Sequence, residues 1–309
     1  IVILTIALAA SWAYGSTGNL YGRVSIDAGD ALIKGSQDQD WSYATTNTLV
    51  TLGDTLWVDK EGTLEVELPG LSFLRLADAS KVEMTAVQPY PSLRAWVGAF
   101  YVQRMARSTG KLAFVTPACT VDILKDSMVR IDVLTNGATT VSVRWGHASV
   151  DTDLGGKVFL NSGQRSFVDP GMMPSTGVPF DLAQMDSFDD WSDGRAKYLA
   201  LGENSVPDAV FAKSTPVGVS DLSNYGEWIY VDNSYCWRPT VVTTYVPYRS
   251  GHWSYVPSCG YVWVDNYPFA YVTSHHGRWR NHPSYGWVWN YGDDWAPAWV
   301  VSVRCGSNF

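Results

Sequence analysis

The chain has 309 residues, of which 46% are hydrophobic, and a formal net charge of -8. This length allows two domains with packed cores, so the composition excludes a disordered chain. Residues 225–309 hold five Arg, five acidic residues and no Lys. They therefore lack the basic stripe that a phosphate backbone requires, which excludes nucleic acid as a partner.

The first 13 residues predict the remnant of a signal peptide. Residues 1–10 are almost entirely apolar, and Ser11 and Ala13 place small residues before a cleavage point after Ala13. The apolar run is shorter than the roughly 20 residues that a membrane-spanning helix needs. We expect an exported bacterial protein, periplasmic or extracellular, that is not an integral membrane protein.

Residues 14–168 predict a β domain. In residues 63–68 aliphatic side chains alternate with Glu65 and Glu67, a period of two that places the aliphatic side chains in a core and the carboxylates in water. The same alternation recurs in residues 129–133 and 141–145. Residues 94–105 fit either a helix or a strand. The fold class expected for the whole chain is all-β, with one helix in its connecting segment.

Residues 169–224 predict an acidic, proline-punctuated connecting segment with one amphipathic helix near residues 180–199. The adjacent pair Asp189 and Asp190 lies on the acidic face of that helix. Paired carboxylates can perform acid-base chemistry, but no nucleophile stands near them in the sequence. A solvated helix face is the interpretation that we favour.

Residues 225–309 contain 22 Trp, Tyr and Phe side chains and an internal repeat. A Gly-x-Trp phrase begins at Gly226, Gly251 and Gly277, 25 and 26 residues apart. A second aromatic phrase follows in each unit, beginning at Tyr235, Tyr261 and Trp287, at a constant spacing of 26. Repetition at a fixed period predicts stacked units that share one core. We expect three β-hairpins, with prolines at strand ends and a last strand near residues 299–303.

The aromatic side chains of the repeat are the predicted binding site. We expect 22 rings to exceed what about 85 residues of hairpin can bury, so that some rings remain exposed for a polymer or protein partner. The candidate binding residues are Trp228, Tyr235, Trp237, Tyr248, Trp253, Tyr261, Trp263, Trp279, Trp287, Trp289 and Trp295.

Four cysteines are compatible with disulfides in an exported protein: Cys119, Cys236, Cys259 and Cys305. Their three possible connectivities cannot be separated by sequence. A bond between Cys236 and Cys259 is preferred, because it would join the first repeat to the second. The cysteines and histidines show no metal-ligand spacing, so no metal or cofactor is expected.

Two segments resemble known families. Residues 21–85 resemble the FecR domain through the phrases that begin at Ile33, Leu52, Leu64 and Leu74. Residues 225–309 resemble the tryptophan- and proline-rich C-terminal domain, of unknown function, that exported bacterial proteins join to an N-terminal FecR domain. The FecR regulators of iron-siderophore signalling also have a cytoplasmic segment and a membrane span, and the resemblance does not extend to these.

The function expected from these patterns is non-catalytic binding, or a scaffold role, in the cell envelope or outside the cell. The alternative is a periplasmic signal-relay protein, which the FecR resemblance implies. An enzyme acting on glycans is a third reading, with Asp265, Asp293 and Asp294 as carboxylates and Arg278 or His276 as partners. Asp265 lies at a turn position of the repeat, which favours a turn-forming role over catalysis.

Overall fold

The computed structural model describes residues 21–87, 90–211 and 215–300. The predicted signal peptide and Cys305 lie outside these residues. Within these residues, the N-terminal unit contains 17 strands. They are β1 (Gly22–Ala28), β2 (Ala31–Lys34), β3 (Ser42–Tyr43), β4 (Leu49–Val50), β5 (Thr55–Val58), β6 (Thr63–Leu68), β7 (Ser72–Leu76), β8 (Ser80–Ala86), β9 (Ser92–Arg104), β10 (Ala113–Val115), β11 (Thr120–Ile123), β12 (Ser127–Val133), β13 (Thr139–Trp145), β14 (His147–Asp151), β15 (Lys157–Asn161), β16 (Gln164–Val168) and β17 (Val178–Pro179).

These strands form two layers that share one strand. Sheet 1 has the order β4-β1-β6-β7-β9-β12-β13-β16-β17. Sheet 2 has the order β3-β2-β5-β8-β9-β10-β11-β14-β15, in which only the β9–β10 pair is parallel. A single cluster of buried aliphatic side chains fills the space between the sheets. The all-β prediction is confirmed.

Strand β9 passes from one sheet to the other near Gly98. Residues before Gly98 pair with β8 and β10, and residues from Gly98 onward pair with β12 and β7. Gly98 has a φ of 120°, and a Cβ atom there would lie 2.1 Å from the Ser80 hydroxyl. Only glycine fits this crossing. The ambiguous residues 94–105 therefore lie mostly in a strand.

The alternation in β6 correctly predicted which side chains enter the core, but the carboxylates opposite them do not face water. Glu65 and Glu67 are 0% and 1% exposed. Arg75 and Arg195 donate to Glu65 at 2.8 and 2.7 Å, and Arg23 donates to Glu67 at 2.8 Å. The prediction was wrong because alternation looks the same whether a polar face is solvated or covered by an ion-paired layer.

The covering layer includes helix α1, Ser187–Ser205, which begins later and ends later than the predicted helix. Asp189 is 6% exposed and is not part of a solvated face. It accepts hydrogen bonds from the Tyr101 hydroxyl and from Arg130 at 2.7 Å. Its backbone N–H donates to Asp186 at 2.8 Å, so this acidic pair caps the start of the helix. A short helix α2, Asp208–Phe211, follows.

The C-terminal unit begins with a 3-10 turn, Val219–Asp221, and contains two short helices and six strands. The elements are α3 (Leu222–Tyr225), β18 (Gly226–Val231), β19 (Ser234–Pro239), β20 (Gly251–Val256), β21 (Gly260–Asp265), α4 (Ala270–His275), β22 (His276–His282) and β23 (Gly286–Trp295). Three hairpins form at the predicted positions. Hairpin 1 (β18–β19) and hairpin 3 (β22–β23) join in one four-stranded sheet, whereas hairpin 2 (β20–β21) is a separate ribbon.

The predicted last strand does not form in the described residues. Strand β23 ends at Trp295, and Trp299 and Val300 have irregular backbone. Residues 301–303 lie outside the part of the chain that the structure describes.

The C-terminal unit packs directly on the covered face of sheet 1. Buried Arg23 of β1 contacts Glu67 and, in the C-terminal unit, Asp221 and the Pro268 carbonyl oxygen. The Asn47 amide donates to the carbonyl oxygens of residues 265 and 267, each at 2.8 Å. Side chains from both units also share two apolar clusters. The boundary between the units is therefore a buried interface that contains ion pairs.

Candidate functional site

The three hairpins repeat the same cross-strand pairing of aromatic residues. One Trp–Trp pair lies at the centre of each hairpin, and a second pair lies two residues nearer the turn. The central pairs are Trp228–Trp237, Trp253–Trp263 and Trp279–Trp289, and the outer pairs are Tyr230–Tyr235, Tyr255–Tyr261 and Asn281–Trp287. Residues two apart on a strand share one face, so each hairpin has one aromatic face.

The repeated Gly-x-Trp phrase has a steric reason. Gly226 and Gly251 lie beneath the indole of the Trp on the opposite strand. A Cβ atom would lie 2.5 Å from the Trp237 ring in the first case and 2.8 Å from the Trp263 ring in the second. Real Cβ atoms do not approach this closely, so the glycine is required for the indole to lie flat across the hairpin.

One tryptophan of the central pair is fully buried in hairpins 1 and 3. Trp237 and Trp289 are 0% exposed. Their indole N–H groups donate to the carbonyl oxygens of Leu222 and His276 at 2.9 and 2.8 Å. Trp237 also packs against Phe269, with ring centroids 5.1 Å apart. These tryptophans are structural, because they fill the core and bind the ends of the preceding helical segments.

Hairpin 2 differs from the other two hairpins in its first tryptophan. Trp253 is 48% exposed, whereas its counterparts Trp228 and Trp279 are half-buried. Tyr255 and Tyr261, on the same face as Trp253, are 63% and 66% exposed. Val262 and Val264, on the other face, are buried. We call Trp253, Tyr255 and Tyr261 the exposed aromatic face. The Tyr255 and Tyr261 rings lie edge to face, with centroids 5.3 Å apart.

The fourth aromatic side chain of hairpin 2, Trp263, is buried. It packs beside Tyr248, and its indole N–H donates to Asp265 at 3.1 Å. The Trp263 backbone N–H donates to the Pro297 carbonyl at 3.0 Å. Trp263 thus anchors the hairpin, and the other three rings remain accessible.

A second exposed tyrosine pair lies near the turn of hairpin 1. Tyr230 and Tyr235 are 63% and 44% exposed, with ring centroids 5.2 Å apart. The turn residues Asp232 and Asn233 both have positive φ, as a two-residue hairpin turn requires. This pair is equivalent to Tyr255–Tyr261 in the repeat.

The candidate binding residues therefore divide into three groups. Tyr235, Trp253 and Tyr261 are exposed, and Trp237, Trp263 and Trp289 are buried. The others are half-buried: Trp228, Tyr248, Trp279, Trp287 and Trp295. Sequence reasoning omitted Tyr230 and Tyr255. Their position two residues after a Gly-x-Trp tryptophan was the signal that could have identified them.

The predicted bond between Cys236 and Cys259 is not present, and both cysteines are free thiols. Cys236 lies on β19 and accepts a hydrogen bond from the Asn290 amide at 3.1 Å. Cys259 lies in the turn of hairpin 2 and packs at the edge of a different apolar cluster. Each thiol thus belongs to the packing of its own hairpin.

Asp265, a candidate catalytic carboxylate in the sequence, has a structural role. It is 1% exposed, and its oxygens accept from the Trp263 indole and the Tyr267 backbone N–H, each at 3.1 Å. Burial raises the pKa of Asp265. His276 is also buried, and burial lowers its pKa to about 4. Asp265 therefore stabilises the turn after β21, as its position in the repeat predicted.

Comparisons with known proteins match the C-terminal unit to one family and assign it no activity. A model of a family of unknown function, DUF6600, matches residues 219–308, the segment from the 3-10 turn through the three hairpins. No curated protein matches the chain. No helix in the described part of the chain is long and apolar enough to cross a membrane. The FecR resemblance of residues 21–85 stays a prediction.

The chain is also similar to two crystal structures, at 1.65 and 2.50 Å resolution, of a candidate anti-sigma factor from Parabacteroides distasonis. Each shares 13% sequence identity with a TM-score of 0.38. The similarity covers 60% of this chain and 98% or 99% of the other. At this identity and TM-score, we draw no functional conclusion from the likeness.

Proposed function

We propose that the protein is an exported, non-catalytic binding protein whose exposed aromatic face holds a neutral polysaccharide of the cell envelope or extracellular matrix. The observation that carries this proposal is the exposure of three adjacent rings on hairpin 2. The first tryptophan of the central pair is half-buried in hairpins 1 and 3, whereas hairpin 2 leaves Trp253 in solvent beside Tyr255 and Tyr261. Adjacent exposed rings on a soluble protein indicate an interaction surface.

The chemistry of the exposed aromatic face favours a sugar polymer over a protein. The rings lie on a two-stranded ribbon and present a row of apolar surfaces with two phenolic hydroxyl groups. Protein interfaces usually depend on anchors that fill pockets and become fully desolvated. A sugar ring instead presents an apolar face and several hydroxyl groups, which match the exposed face of an aromatic ring and the tyrosine hydroxyl groups. The near-neutral composition of residues 225–309 suits an uncharged polymer.

The test is binding of the full chain to peptidoglycan sacculi and to extracellular polysaccharide, measured by co-sedimentation and by Trp fluorescence. We expect Trp253→Ala and Tyr261→Ala each to weaken binding about tenfold, equivalent to about 1.4 kcal/mol. The melting temperature should change little, because both rings are largely exposed. Tyr43→Ala is the matched control, since Tyr43 is 69% exposed on the N-terminal unit. The proposal would be rejected if Tyr43→Ala weakened binding as much as the other two variants. It would also be rejected if the unaltered chain bound none of the polysaccharides.

Signal relay is the second candidate, and the buried interface favours it. Arg23 and Asn47 of the N-terminal unit contact groups of the C-terminal unit that lie directly after hairpin 2. A relay requires that a disturbance in one unit be detected in the other. The shared ion pairs and apolar clusters provide the physical contact for such coupling.

A further inference from the structure

A cavity of about 350 Å³ lies on the outer face of sheet 1, far along the sheet order from the strands that meet the C-terminal unit. Its floor has two rows of side chains across β12, β13 and β16. The register places Arg130, Ser142 and Arg165 in one row and Asp132, Thr140 and Phe167 in the next. The segment that precedes helix α1 forms the wall through Phe180 and Gln184.

Two arginines of this cavity have most of their hydrogen-bonding capacity unused. Among the residues that the structure describes, Arg144 makes one hydrogen bond, from Nη2 to the Leu182 carbonyl at 3.0 Å. Arg165 stacks on Phe180, with its guanidinium carbon 4.4 Å from the ring centroid, and its buried Nε has no hydrogen-bond partner. Neither arginine forms an ion pair within the described residues. Each guanidinium has five N–H donors in a planar fork, a geometry that matches a carboxylate or phosphate.

The third arginine differs because its charge is already compensated. Arg130 contacts Asp132 at 3.1 Å and both Asp186 and Asp189 at 2.7 Å. The cavity therefore has uncompensated positive charge at Arg144 and Arg165, on β13 and β16, and surplus negative charge around Arg130, on β12. Such a site attracts a single anionic group beside Arg144 and Arg165, while the carboxylates around Arg130 repel a dianion.

We propose that this cavity binds a ligand through a single carboxylate, held by Arg144 and Arg165, with the apolar part of the ligand against Phe167 and Phe180. The volume fits one sugar or one amino-acid residue. The carboxylate could belong to an acidic sugar or to an acylated amino acid, and the chemistry of recognition is the same for both. The site is independent of the exposed aromatic face.

The test is calorimetric titration of the full chain with four probes: sodium glucuronate, N-acetyl-alanine, glucose and inorganic phosphate. We expect binding of at least one of the two carboxylates, and none of glucose. Arg144→Gln and Arg165→Gln should each weaken that binding tenfold or more. Arg165→Lys should recover little, because an ammonium lacks the bidentate fork. Arg94→Gln is the matched control, because Arg94 is 52% exposed and lies outside the cavity.

Each outcome decides the proposal. Binding of glucuronate alone assigns the site to acidic sugars, and binding of N-acetyl-alanine alone assigns it to acylated amino acids. Phosphate binding as tight as that of the carboxylates would overturn the assignment to a monoanion. Binding of no probe, or binding that survives both Gln variants, would overturn the site itself. Melting temperatures without ligand separate lost binding from lost folding, since Arg144 and Arg165 also contact the wall of the cavity.

Discussion

Two adjacent histidines, His275 and His276, are the buried groups in the C-terminal unit whose charge state is most sensitive to acid. They are 1% and 2% exposed. The Nδ1 atom of His275 lies 2.9 Å from the Ala296 carbonyl oxygen, and its ring stacks on Trp295 at 5.4 Å. Burial lowers the pKa of each histidine from 6.5 to about 4. Both are therefore neutral in the folded protein at neutral pH.

We predict that these histidines make the fold acid-labile. The histidines bind protons at a higher pH in the unfolded chain than in the folded protein. The free energy of unfolding is therefore unaffected by them above pH 6.5 and decreases as the pH drops toward 4. The loss should be about 3 kcal/mol per histidine at pH 4. Denaturant unfolding at several pH values measures it.

The control for acid lability is His252, which is exposed. The double variant His275→Gln and His276→Gln should flatten the dependence of stability on pH between 6.5 and 4, whereas His252→Gln should leave it unchanged. An unchanged slope in the double variant would show that other groups carry the acid sensitivity. The Glu65 carboxylate acts only at lower pH. Burial alone would raise its pKa, but the Arg75 and Arg195 guanidiniums hold it at about 2.

At the scale of the element, sequence predicted the hairpins well because their signals are local. The spacing of aromatic phrases and the turn residues determines where each strand begins and reverses. How far each ring is buried is not a local property. The Gly-x-Trp tryptophan is half-buried in hairpin 1 and exposed in hairpin 2. The difference comes from other elements, because Trp228 packs against Trp289 of hairpin 3, whereas Trp253 contacts Trp263 of its own hairpin.

The same limit explains the wrong prediction for Glu65 and Glu67. A period of two specifies which side chains share a face, and β6 follows it. Whether that face meets water depends on Arg23, Arg75 and Arg195, which come from other elements.

The sequence also did not predict the cavity for which we propose carboxylate binding. Arg144 and Arg165 become neighbours only through the pairing of β13 with β16.

A glycine pair tests the packing of the hairpins. In Gly251→Ala the new Cβ would lie 2.3 Å from the Val264 carbonyl oxygen and 2.8 Å from the Trp263 ring, so we expect a loss of about 1–3 kcal/mol. Gly194→Ala in α1 is the matched control. A Cβ there meets nothing within 4 Å, and alanine should add up to about 1 kcal/mol to helix stability. Denaturant midpoints measure both, and equal effects would contradict the steric explanation.

At the scale of the whole molecule, the two units form one folded body through buried charges. Arg23 is 1% exposed and contacts Glu67 and Asp221, which belong to different units. Removing one member of a buried ionic group leaves the others without compensation, at a cost of about 3–5 kcal/mol. The composition suggested two domains, but the residues that join them are scattered between positions 23 and 268. Their proximity depends on the tertiary fold.

We therefore predict that Arg23→Met loosens both units together. Amide hydrogen exchange should accelerate more than tenfold in β6 and also in α4, because Arg23 joins Glu67 of β6 to the Pro268 carbonyl before α4 and to the Tyr271 ring within it. Arg94→Met, which removes an exposed partner 3.8 Å from Glu83, should change neither. Acceleration confined to one unit would show that the interface does not couple the units. It would also argue against the signal-relay function.

The shared strand β9 has a consequence for how the chain folds. In both sheets β1–β8 lie on one side of β9, and β10–β17 lie on the other. Each half of the N-terminal unit is thus a partial double layer with two open edges, and these edges close only when β9 docks between the halves. Neither sheet is therefore continuous until residues 92–104 are in place, and Gly98 allows one strand to complete both sheets.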